Sequence, residues 1–139
     1  MLAAWNDMPR HTVNPPSLFS SVEHGFSQIV IASGPRTLFM SGQTAWNADK
    51  QIVGRTVAEQ ARQALANVKT AVEASGGTLG DIVALRLYLV DGSADAMAAV
   101  GSALRECFPE TPPASTWIGV SFLARPEFLI EVEATAVLD

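Results

Sequence analysis

Three short stretches carry side chains of types that do chemistry. Ser41, Gly42 and Gln43 close the run TLFMSGQ. A glycine there lets a ligand reach the backbone while its polar neighbours offer hydrogen bonds; a strand-end bulge would use the same residues. Glu131 and Glu133 stand two apart in IEVEA, hence on one face of an extended strand. A carboxylate so placed can act as general base or position a water, or belong to an ion-paired edge. Arg86 lies inside DIVALRLYLV with apolar neighbours on both sides. An arginine in that place pairs with a carboxylate such as Glu131 or Glu133, or presents its planar fork to a bound carboxylate. Left unpaired in an apolar setting it would be costly.

The better-known signatures are missing. The chain has no phosphate-binding glycine loop, GxSxG elbow, paired cysteines or HExxH, the patterns that announce nucleotide, serine-nucleophile or zinc chemistry. His11 and His24 are isolated, so neither a metal centre nor a cofactor is expected.

The elements that must position the candidates follow from periodicity. Pro9, Pro15 and Pro16 make residues 1–20 an irregular strap. QIVI and TLFMSGQ are β-rich runs separated by ASGPR, which predicts a hairpin, and QIVG predicts a short third strand. Thr56 and Glu59 are spaced as a capping box, ahead of Val57, Ala61, Leu65, Val68 and Val72 on one helical face, with Gly76 and Gly77 to end the helix. Residues 81–90 form a strand with Val83, Leu85, Leu87 and Leu89 on the face opposite Arg86 and Tyr88. A second helix starts at Ser93, carries Met97, Val100, Leu104 and Cys107 or Phe108 inward, and stops at the prolines after it. In the last strand Ile130, Val132, Ala134 and Ala136 alternate with Glu131, Glu133 and Thr135. Two helices with one apolar face each imply an α+β domain, a single mixed β-sheet with both helices packed on one face and the other face open.

Composition sets the outer limits. A chain of 139 residues is one domain. With 48% hydrophobic and only 17% charged residues, some apolar surface is expected to be buried against other subunits. Nine basic against fourteen acidic residues leave a net charge of -5 without a local Lys or Arg cluster, so no nucleic-acid partner is expected. One cysteine, Cys107, cannot form an internal disulfide. With no leader-like or membrane-length apolar run, a cytoplasmic protein without membrane contact is expected.

Taken together, HGFSQ, MSGQ, QARQALANVKTAVEASGG, YLVD, PPASTWIGV and LARPEFLIEVEATAV, in this order and spacing, resemble the RidA family, also called the YjgF family, of imine and enamine deaminases. The resemblance runs from about Asn14 to Val137. It implies a chorismate-mutase-like subunit, a homotrimer, and small-molecule sites in the clefts between subunits. There a glutamate of the last strand positions the water that hydrolyses an imine, and an arginine grips the substrate carboxylate. Glu131 matches the glutamate, and Ser41, Gly42 and Gln43 match the family's SGQ. Phe26 stands where many members have tyrosine, and Ser115 stands where the arginine belongs, followed by Thr116 and Trp117. A serine offers a carboxylate one neutral donor in place of a charged fork, a deficit of about 2 kcal/mol. Ser115, Thr116, Ser41, Gly42, Gln43, Phe26, Trp117 and Arg86 are therefore the expected substrate contacts and Glu131 the expected catalytic group. Trp117 has an alternative place in an interface core. The alternative function is a family member that binds a metabolite without transforming it.

Overall fold

The alternation in residues 130–138 organises the sheet. The computed structural model describes residues 10–139, with strands β1 (Arg10–Val13), β2 (Ile29–Ala32), β3 (Arg36–Gln43), β4 (Ile82–Leu89), β5 (Ala114–Gly119) and β6 (Ile130–Leu138), and helices α1 (Val57–Ala74) and α2 (Ala94–Cys107). In β6, Ile130, Val132, Ala134, Ala136 and Leu138 are buried and the residues between them are part-exposed. Two faces of different character let β6 sit inside the sheet, with β3 antiparallel on one side and β4 antiparallel on the other. Beyond β4 lies β5, parallel to it because α2 carries the chain back across the sheet. One core joins Leu65, Val68 and Val72 of α1, Val100 and Leu104 of α2, and the inward residues of β4 and β6.

The helices end where local chemistry says they should. Thr56 accepts from the Glu59 amide, and the Glu59 carboxylate accepts from the amides of Thr56 and Arg55. Those bonds hold the Glu59 carboxyl below its usual range. Ser93 caps α2 by accepting from Ala96, and Gly76 takes a left-handed φ of 90° just past α1.

Four expectations need correction. The predicted hairpin does not form: β2 pairs with β1, making a separate two-stranded sheet, and β3 pairs with β6. The intervening Gly34 is required instead by its approach to β6, since a Cβ there would lie 2.4 Å from the Leu138 carbonyl oxygen. The strap is thus partly a strand, and its first nine residues, Pro9 included, lie outside the described residues. QIVG contributes only a bridge from Ile52 to Trp46. Val83 does not share the core face: the β4–β6 register shifts between Ile82 and Ala84, so that Ile82 is buried in its place. At the end of α2 it is Phe108, the residue just past the helix, that is buried, and Cys107 is half-buried. No helix among the described residues is long and apolar enough to cross a membrane.

Gln60, like Ser21 and Ser27, is polar and only 1% exposed. Its amide nitrogen donates to the carbonyls of Gly54 (3.2 Å) and Glu127 (2.8 Å), and its oxygen accepts from the Leu129 amide (2.9 Å). One side chain therefore ties the loop entering α1 to the loop entering β6. Gln60→Leu keeps the volume and strands three backbone groups, so urea denaturation is expected to show a loss of about 3 kcal/mol. Burial pushes the Cys107 thiol up to about 11. Alkylation by iodoacetamide at pH 8 is expected to run about 100-fold slower in the folded protein than in the urea-unfolded chain.

Candidate functional site

Glu131 and Gly42 meet at the β3 margin of the sheet. The β3–β6 register breaks between Met40 and Gln43, so Ser41 and Gly42 form a bulge of the kind weighed above. A Cβ on Gly42 would lie 2.2 Å from Glu131 Oε1 and 2.9 Å from its Cγ. The glutamate side chain thus lies across the glycine, with its carboxylate carried from β6 over β3. Gln43 donates to the Ser41 carbonyl at 3.1 Å, and Gly42 and Gln43 border a hollow shared with Thr44, Trp46 and Asn67.

The middle of the open face holds a second polar group. Register places Arg86 between Glu133 of β6 and Thr116 of β5. Arg86 Nη1 is 3.5 Å from Glu133 Oε1, and the Tyr88 hydroxyl donates to the same oxygen at 3.1 Å. Burial, then the bond to Glu133, raises the Tyr88 phenol above its ordinary pKa. Of the two roles open to Arg86, this geometry is the carboxylate pair, made with Glu133. Arg86, Thr116, Glu133 and Thr135 line a cavity of about 270 Å³, closed at the β5 margin by Phe26 and Gln28 and bordered by Ser115. Ser27 holds that margin: its amide donates to the Pro113 carbonyl at 2.9 Å and its hydroxyl to that of Pro112.

Ser115 itself turns the other way. It pairs with Leu85, and Trp117 with Leu87, so both side chains project to the helix side. There Trp117 Nε1 donates to Ser115 Oγ at 3.0 Å, and the indole packs against the core. It forms one wall of a groove of about 530 Å³ between β5 and α2, with Phe19, Phe26, Met97, Gly101 and Arg105. Phe19 and Phe26 meet edge to face at 6.0 Å. Gly101 gives the groove its depth, because a Cβ there would stand 3.3 Å from Arg105 Nη1 and 3.8 Å from the Trp117 ring. Sequence reasoning missed Met97 and Arg105 as lining residues. The signal was available in Gly101, a glycine inside a helix, which costs about 1 kcal/mol relative to alanine and calls for a packing reason.

The structure therefore gathers Phe26, Arg86, Ser115 and Thr116 around one cavity, sends Trp117 into the adjoining groove, and puts Glu131 with Ser41, Gly42 and Gln43 at the opposite margin. With strand order β3-β6-β4-β5, the two margins are three strand spacings apart, about 14 Å. A small metabolite cannot touch both within one chain.

Known proteins resemble this chain in sequence and in fold. The family model described as Endoribonuclease L-PSP matches residues 19–138. The 2-iminobutanoate/2-iminopropanoate deaminase of Escherichia coli is 38% identical over 103 residues, 72% of this chain and 78% of that protein. A RutC family protein of Pyrococcus horikoshii is 35% identical over 71% of this chain and 77% of its own length. Among solved structures, the conserved Rid-family protein YyfB of Yersinia pestis, described as of unknown function, has a TM-score of 0.90 and 41% identity, covering 94% of this chain and all of that one.

The close contact at Gly42 is open to a double-mutant cycle. Gly42→Ala is expected to cost about 1–3 kcal/mol through overpacking against Glu131. The penalty should shrink by more than half when Glu131→Ala is already present, as read from urea denaturation of the four proteins.

Proposed function

The chain belongs to the RidA/YjgF family, and from that premise we propose that it hydrolyses a small reactive imine or enamine in clefts between the subunits of a homotrimer. The observation that carries this reading is the Glu131 carboxylate held over Gly42 at the sheet margin. In the cleft, Glu131 accepts a proton from a water that adds to the imine carbon. The proton is returned to nitrogen, and the tetrahedral adduct collapses to a carbonyl compound and ammonia. Backbone groups at Ser41, Gly42 and Gln43 face the reacting end of the ligand. A neighbouring subunit supplies Phe26, Ser115, Thr116 and Trp117. The 14 Å between the two margins, roughly three strand spacings, supports a site drawn from two copies, as does Phe39, which is 84% exposed on the open face. Arg86 stays with Glu133 as a structural pair in this reading.

The family model's name speaks of an endoribonuclease, but fourteen acidic against nine basic residues without a basic cluster argue against phosphate-backbone binding. A reduced, cytoplasmic setting belongs to the same proposal, since Cys107 has no partner in the chain for a disulfide. A second reading, ligand binding without turnover, is favoured by one contact: Ser115 Oγ, at the position of the family's arginine, is engaged by the Trp117 indole.

Ammonia and keto-acid release from imines generated in situ from several amino acids tests both. Turnover is expected, with Glu131→Gln lowering kcat about 100-fold or more; equal activity in that variant overturns the hydrolytic role. Activity found only in Ser115→Arg assigns the native protein to the binding reading.

A further inference from the structure

Resting on the reading of the cleft above, we propose that its carboxylate anchor has moved from strand β5 to helix α2, where Arg105 holds the carboxylate of a ligand whose aromatic side group fills the groove beside Trp117. The groove is built for such a ligand. Its walls are the rings of Phe19, Phe26 and Trp117 and the thioether of Met97, with Arg105 and His24 as its ionisable groups. A volume of about 530 Å³ is within the range of small-molecule pockets and well above what a two- or three-carbon side chain needs.

Arg105 is held and left charged. Nη1 donates to the backbone carbonyl of Glu23 at 2.9 Å, a neutral partner that orients the fork without neutralising it. Of the neighbouring acids, Glu106 pairs with Arg62 at 3.3 Å, and the Glu23 carboxylate lies 3.5 Å from His24. Gly101, one helical turn before Arg105, makes room for the guanidinium and the indole side by side. Other cations of the chain are differently placed. Arg86 is on the opposite face of the sheet beside Glu133, Arg125 stacks 5.0 Å over the Trp46 ring, and Arg10 and Arg36 donate to Thr111 and to the Asp139 carbonyl.

Position 115 explains the exchange. An arginine there would share the helix side of β5 with Trp117 and occupy the space that the indole now closes. Serine is small enough to leave the groove open and polar enough to fix the indole through its Oγ. Ser115, Trp117, Gly101 and Arg105 are thus one set, which selects an aromatic carboxylate where an arginine at 115 would select a small one.

Calorimetric titration of the full chain with 2-naphthoate, and with the uncharged 2-naphthamide as control, tests the assignment apart from turnover. Naphthoate is expected to bind at one site per chain, at least tenfold more tightly than the amide. Arg105→Gln should bring the acid down to the level of the amide, about tenfold weaker, with Arg105→Lys in between, and Gly101→Leu should abolish both. Arg86→Gln should leave both unchanged. The proposal is overturned if acid and amide bind equally, if neither binds, if Arg105→Gln stays within twofold of the native protein, or if the loss appears in Arg86→Gln instead. Arg105 is exposed, so the Gln and Lys variants are informative even where Gly101→Leu fails to fold. Turnover with normal naphthoate binding in Arg105→Gln overturns the anchor and keeps the deaminase; the expected binding pattern with no turnover keeps the anchor and overturns the deaminase.

Discussion

A single buried amide governs how this domain presents its candidate site. Gln60 joins the start of α1 to the residues just before β6, and so sets where β6 enters the sheet. Glu131 is the second residue of that strand. Its carboxylate reaches across β3 only because β6 begins at the right height and because Gly42 has no side chain to obstruct it. The hydrophobic core alone would tolerate small sliding of β6, since its inward residues are all aliphatic. Three directional hydrogen bonds to backbone groups do not, and unmet they would each cost about 1–3 kcal/mol.

The two faces of β5 divide polar from apolar recognition. Thr116 faces a cavity with Arg86, Glu133 and Thr135, whereas Trp117 faces the aromatic groove along α2, its indole donating to Ser115 on the same side of β5. Alternation along one strand thereby places groups one residue apart in sequence in separate environments. Phe26 touches both, because its segment wraps the β5 margin through Ser27.

The legible parts of the sequence were those with a strong period or a specific pairing of residues. The β6 alternation, the capping box at Thr56 and Glu59, and the apolar stripe of α1 are local patterns, and each appears as read. The pairing of β2 and β3 was not legible in that way. A Gly-Pro turn between two apolar runs looks the same whether the strands join each other or go to separate sheets, and the choice is made by β6, about a hundred residues away. Val83 misled for a related reason: one irregular step in register near Ile82 exchanges the faces, which no two-residue period can reveal. Within the candidate site, the Ser41–Gln43 bulge and the two carboxylates were visible as residue types. Which carboxylate Arg86 would take required the register, and it took Glu133. Arg105 and Met97 were legible as site residues only indirectly, through Gly101, because helical spacing offered them the ordinary roles of exposed charge and core filler.

The order of strands across the sheet has a consequence for synthesis. β3 and β4 share no hydrogen-bonded ladder; each is joined to the other only through β6, which is made after both. Until residues 130–138 leave the ribosome, α1 and α2 have only half a floor on which to pack: β3 lacks its partner and β4 has only β5 beside it. Such distant closure slows folding and lengthens the interval in which sticky edges meet other chains. The nascent chain is therefore exposed until β6 emerges, when β3 and β4 each gain the ladder they lack.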